Sequence, residues 1–121
     1  MTNSLNGKAA VSGIGETAYT RGTDKSAIAL MCEASLKAIA DAGLQPSDID
    51  GIIPYSLGPV AEEVMTNLGL EDIRFSALTP MGGASAVAAL QAAAAAISAG
   101  ISRHILLAVS YTHLTLPTRC L

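Results

Sequence analysis

Few side chains in this sequence could do chemistry, and they are spread unevenly. The stretch TPMGGASAVAALQAAAAAISAG, residues 79–100, carries no charge and runs through Gly82, Gly83, Ala84 and Ser85 into a segment built almost wholly of alanine. A helix beginning there would present unpaired amide groups and a partial positive charge in its first turn. That end can stabilise an oxyanion or lower a thiol's pKa. The glycines would leave a reacting group room, so these four residues are the candidate site-lining set. Spacing alone favours a purely structural helix with a tight glycine entrance. Ser85 is the nearest hydroxyl, and nothing in the chain identifies a base to activate it.

The remaining chemistry-bearing residues read as structural. Cys32 lies mid-helix beside Met31, where a buried thiol is inert. His104 opens an apolar run without a partnered base and reads as a surface residue. Gly13 and Gly15 in GIGET resemble a piece of a dinucleotide loop. Ala18 stands where a third glycine belongs, and no helix follows at once. Glu62-Glu63 and Glu71-Asp72 read as solvated faces, and no histidine spacing supports a metal site. Tyr19 and Tyr55 would line a pocket or simply pack, and the sequence does not choose between the two.

These residues need elements to position them. Residues 8–14 read as a strand leaving into a loop at 17–22. Thr23 or Asp24 would cap a helix whose apolar stripe includes Ala27, Ile28, Met31, Ala34, Ala38 and Ile39. Gly43, Leu44 and Pro46 stop it. Residues 51–55 form a second strand, 59–68 a second helix ending at Gly69, and 73–78 a third strand. The alanine segment, stopped by Gly100, and a strand over 104–109 complete the series. This β-α-β-α-β-α-β order predicts an α/β fold with a mostly parallel sheet. The last strand is apolar throughout, as for one covered on both faces. An alanine helix apolar all round is expected to be surrounded by protein.

The 121 residues are 50% apolar and 3% aromatic, with a net charge of −3. One core fits that length, and no basic footprint for nucleic acid is present. The two cysteines, Cys32 and Cys120, make neither a disulfide framework nor a zinc site. No charged-then-apolar leader opens the chain, so a cytoplasmic location is expected. Gln91, Ser85 and Ser98 interrupt the alanine run, which argues against a membrane span.

Three segments carry a family resemblance. AVSGIGETAYTR, ASLKAIADAGLQPSDIDGII, and GGASAVAALQAAAAAISAG followed by HILLAV resemble, in this order and spacing, the N-terminal part of thiolase-like proteins. The similar branch is the lipid-transfer-protein or sterol-carrier type, often labelled acetyl-CoA acetyltransferase. The resemblance covers nearly all of residues 8–108. It implies an incomplete N-terminal half of an αβαβα layered fold with a central alanine-rich helix. It also implies a homodimeric parent that acts on coenzyme A thioesters as substrate, with no permanently bound cofactor. The family's acyl-accepting cysteine stands 18 positions before the closing glycine, counted inclusively. From Gly100 that position is Gly83, and Gly82, Ala84 and Ser85 supply no thiol either. The first expectation is Claisen-type acyl transfer or its reverse on a chain without its nucleophile. The alternatives are a cysteine-less retro-aldol lyase of acyl-CoA side chains, working beside a small OB-fold partner, or a non-catalytic acyl-CoA carrier or scaffold. A nucleotide-binding α/β module ranks behind these.

Residues 109–121 break the pattern. VSYTHLTLPT mixes polar and apolar residues without a period. It resembles the translation of a transposase-type sequencing-library adapter, which divides the chain into a partial domain at 1–108 and an appended tail at 109–121. On that reading His113 and Cys120 have no function. Six basic and ten acidic residues then remain, a net charge of −4.

Overall fold

The computed structural model describes residues 7–18, 26–54, 60–81, 84–108 and 118–120, the last three by their backbone. Among the described residues, strands and helices alternate as far as β4, and a fifth strand follows: β1 Gly13–Gly15, α1 Ala27–Asp41, β2 Gly51–Pro54, α2 Ala61–Leu68, β3 Phe75–Ser76, α3 Ser85–Ser98, β4 Ile105–Ala108 and β5 Thr118–Cys120. A short 3-10 turn, Pro46–Asp48, leads from α1 into β2.

The strands form one sheet in the order β1-β5-β4-β2-β3. β2 pairs in parallel with both β3 and β4, while β5 is antiparallel to β1 and β4. β1 therefore runs the same way as β4, β2 and β3, and the sheet is mostly parallel, as expected of a β-α alternation. The antiparallel strand falls in the segment read from sequence as an appended tail.

Alternate side chains of the central strands enter opposite cores, because successive residues of a strand point to opposite faces. Ile52, Leu106 and Ala108 pack with Met31, Ala38 and Ile39 of α1 and Val64 and Leu68 of α2. Ile53, Ile105 and Leu107 pack with Ala89, Ala93 and Ala96 of α3. All residues of β2 and β4 are buried, which explains their unbroken apolar sequence.

The helix boundaries follow local chemistry. The hydroxyl oxygen of Ser26 accepts from the Ala29 amide and caps α1. This corrects the expected cap at Thr23 or Asp24, which lie outside the described residues. All three helices end alike: Gly43, Gly69 and Gly100 take φ of 74°, 70° and 78°, where a Cβ would be strained. The amides that follow them reach back to the carbonyls of Ile39, Met65 and Ala96, the six-to-one bond that closes a helix end.

Two further expectations need correction. The first strand, read over 8–14, is only Gly13–Gly15. The third strand, read over 73–78, is only Phe75–Ser76, at the edge of the sheet with one pairing partner. The alanine helix is covered on one face, and the expectation that protein surrounds it concerns the whole layered fold, of which this chain is an incomplete part. Ser85, Ala89, Ala93 and Ala96 are buried, whereas Val87 and Ala95 on its other side are exposed. Its sequence is apolar on nearly every side. A single layer of sheet, however, covers only one stripe of it.

Candidate functional site

α3 starts beyond the carboxyl end of β3, and that end of the strands is where open α/β sheets bind ligands. Of the four expected site residues, Gly82 and Gly83 lie outside the described residues, as do Tyr19, Tyr55 and His113. Ala84 is exposed and Ser85 is 4% exposed. The Ser85 hydroxyl is already engaged: its oxygen accepts from the Met81 amide at 3.0 Å. Thr79 Oγ1 donates to the Ser85 carbonyl oxygen at 2.9 Å. The Met81 carbonyl accepts from the Ala84 amide at 3.1 Å. These bonds cross-brace the turn before α3 and use the serine as a backbone tie. A nucleophilic serine would instead show its oxygen to a cleft beside a base.

Around this turn the surface is apolar. Leu78, Met81 and Val87 are 58%, 63% and 68% exposed.

The described polar network of greatest extent sits at the opposite, amino-terminal ends of the neighbouring strands β2 and β4. The Asp50 carboxylate accepts from the Ser102 hydroxyl at 2.7 Å, from the Arg103 amide at 3.0 Å to Oδ1 and 3.1 Å to Oδ2, and from the His104 amide at 3.0 Å to Oδ1. Its own amide donates to the His104 carbonyl, and its carbonyl accepts from Arg74. Partial burial would raise the Asp50 pKa, but the hydrogen bonds from His104, Ser102 and Arg103 outweigh it and hold the carboxyl below its ordinary value. The sequence reading passed over Asp50 as part of a polar turn. A carboxylate directly before a buried strand was the available signal, but nothing local joined it to Ser102.

Elsewhere the chemistry-bearing residues fall into structural places. Gly13 and Gly15 lie beneath α1. A Cβ on Gly13 would meet the Ala38 carbonyl and come within 2.8 Å of the Ala42 amide nitrogen. One on Gly15 would overlap the backbone of Ala34 and Ala38. The two glycines therefore serve a close strand–helix contact. Cys32 is half-buried against the α1–α2 core, and burial raises its pKa. His104 is half-buried at the start of β4 and takes part in the Asp50 network through its backbone. Glu62 and Glu63 are exposed in the first turn of α2, where the helix dipole favours them. Glu71 and Asp72 are exposed too, and Asp72 pairs with Arg74 at 3.2 Å. Among the described residues no group of three or more His, Cys, Asp or Glu could hold a metal ion, and no helix is long and apolar enough to cross a membrane.

With this geometry in view, the comparisons define a class first. The chain has the thiolase-like fold. It superimposes on the 3-oxoacyl-[acyl-carrier-protein] synthase III of Aquifex aeolicus with a TM-score of 0.72 at 15% identity, covering 91% of this chain and 52% of that one. More particular likenesses lie within that class. The solved Ltp2-ChsH2(DUF35) aldolase matches with a TM-score of 0.82 at 35% identity, over 85% of this chain and 27% of that one. The steroid side-chain-cleaving aldolase of Thermomonospora curvata is 40% identical over 99 residues, 81% of this chain and 25% of its own. The 17-hydroxy-3-oxo-4-pregnene-20-carboxyl-CoA lyase of Mycobacterium tuberculosis is 36% identical over 99 residues, 81% of this chain and 26% of its own. This chain thus spans about a quarter of the length of these curated relatives. No family model matches it.

Proposed function

We propose that this chain is a portion of a thiolase-like enzyme that cleaves carbon–carbon bonds in acyl-CoA thioesters by retro-aldol chemistry. The observation that carries this reading is the 40% identity to a steroid side-chain-cleaving aldolase. The α3 entrance supports it from chemistry. Acyl transfer through a covalent thioester needs a nucleophile there, and residues 82–85 are Gly, Gly, Ala and Ser. The serine's oxygen is committed to the Met81 amide. Retro-aldol cleavage of a 3-hydroxyacyl-CoA needs no covalent acyl-enzyme. A base removes the hydroxyl proton, the bond between the α and β carbons breaks, and the electron pair passes into the thioester enolate. Protonation of the enolate releases a shorter acyl-CoA beside a ketone or aldehyde. Donors aimed at the enolate oxygen are what such a site must supply. The Claisen-type transfer expected first from sequence gives way to this reading.

The substrate class in this proposal is a coenzyme A thioester with an apolar, ring-bearing acyl group, as the names of both relatives suggest. A homodimeric parent and a small OB-fold partner belong to the same proposal, and so does an appended origin for residues 109–121. Genomic DNA read across codon 108 tests that origin. A natural frame continuing through SYTHLTLPT would overturn it.

A chain of the relatives' length carrying this segment, assayed with a 3-hydroxyacyl-CoA, should release the ketone and the shortened acyl-CoA in equal amounts. Thiolysis of a 3-oxoacyl-CoA by added coenzyme A would return the reading to acyl transfer. Binding of the thioester with neither reaction would favour a carrier.

A further inference from the structure

We draw no further inference here: the strongest candidate, the uncharged outer surface of α3 with exposed Val87 and the neighbouring Leu78 and Met81 of the loop before it, is an unpartnered apolar face, and nothing in the structure shows what covers it.

Discussion

The hydroxyl of Ser102 donates to the carboxylate of Asp50 at 2.7 Å, although 52 positions separate them. The bond ties the turn between α3 and β4 to the start of β2, and the Arg103 and His104 amides share the same carboxylate. Each hydrogen bond to a charged acceptor contributes roughly 1.5–3 kcal/mol when well formed, and an unpaired amide left behind carries its own cost. Asp50→Ala should therefore lower unfolding stability by about 2–4 kcal/mol, measured by urea denaturation. Asp50→Asn should lose less, since its carbonyl oxygen can still accept. A variant as stable as the parent chain would show that the network contributes nothing.

The same carboxylate sets an acid limit. Its pKa in the folded chain lies below the ordinary value, so the unfolded chain takes up the proton first as pH falls. The stabilisation is fully present above the unfolded pKa, about 3.9 for an aspartate. It is lost progressively as pH drops from there through the lower, folded value. Urea titrations at stepped pH should show Asp50→Asn flattening the acid limb below about pH 4 while leaving the slope at neutral pH unchanged.

Gly15 presents the opposite kind of constraint, one of space. Ala34 and Ala38 of α1 lie so close that Gly15→Ala would place its methyl on their backbone. Backbone cannot rotate aside as a flexible side chain can, so α1 must lift from β1. Two bonds that join α1 to β1 and the residue after it, from the Ile14 amide to Asp41 Oδ2 at 2.9 Å and from Lys37 Nζ to the Glu16 carbonyl at 3.3 Å, should weaken together. We expect a loss of about 1–3 kcal/mol for Gly15→Ala, the usual range for overpacking, and faster amide exchange at Ile14. Gly43→Ala offers a contrast: nothing lies within 4 Å of its added methyl, so its cost would come from the positive φ alone.

These two sites mark what sequence could and could not reveal. The ends of the helices were legible because a glycine stop is local chemistry: Gly43, Gly69 and Gly100 act on carbonyls within one turn. The buried strands were legible because β2 and β4 are apolar at every position. The true start of α1 was missed. Several adjacent polar residues can cap a helix, and only geometry selects Ser26. The Gly13–Gly15 pattern resembled only a piece of a dinucleotide loop, because the helix that requires the two glycines, α1, is brought over them by the fold. Asp50 was missed because its partners are remote in the chain. At the α3 entrance the missing thiol was plain in the sequence. The use of Ser85 as a tie for the Met81 amide depended on the path of the intervening turn.

That tie carries its own prediction. Ser85→Ala removes the acceptor from the Met81 amide, and Thr79→Val removes the donor to the Ser85 carbonyl. Each should cost roughly 1 kcal/mol, the net worth of one hydrogen bond. Because both bonds brace the same turn, the double variant should depart from the sum of the singles. A strictly additive cycle in urea denaturation would mean that the two bonds act independently.

Two buried hydroxyls run the other way. Among the described residues, Thr17 Oγ1 and Ser35 Oγ have no hydrogen-bond partner, although Thr17 is 4% exposed and Ser35 is fully buried. A buried hydroxyl without a partner keeps its desolvation cost and gains nothing in return. Thr17→Val keeps the shape and removes the cost, and Ser35→Ala also improves the helix propensity of α1. Each variant should match or exceed the stability of the parent chain, by up to about 1 kcal/mol. Thermal unfolding followed by circular dichroism would check it. A clear drop in midpoint for Ser35→Ala would indicate that its hydroxyl has a partner in solution, such as the Met31 carbonyl one turn earlier or a buried water.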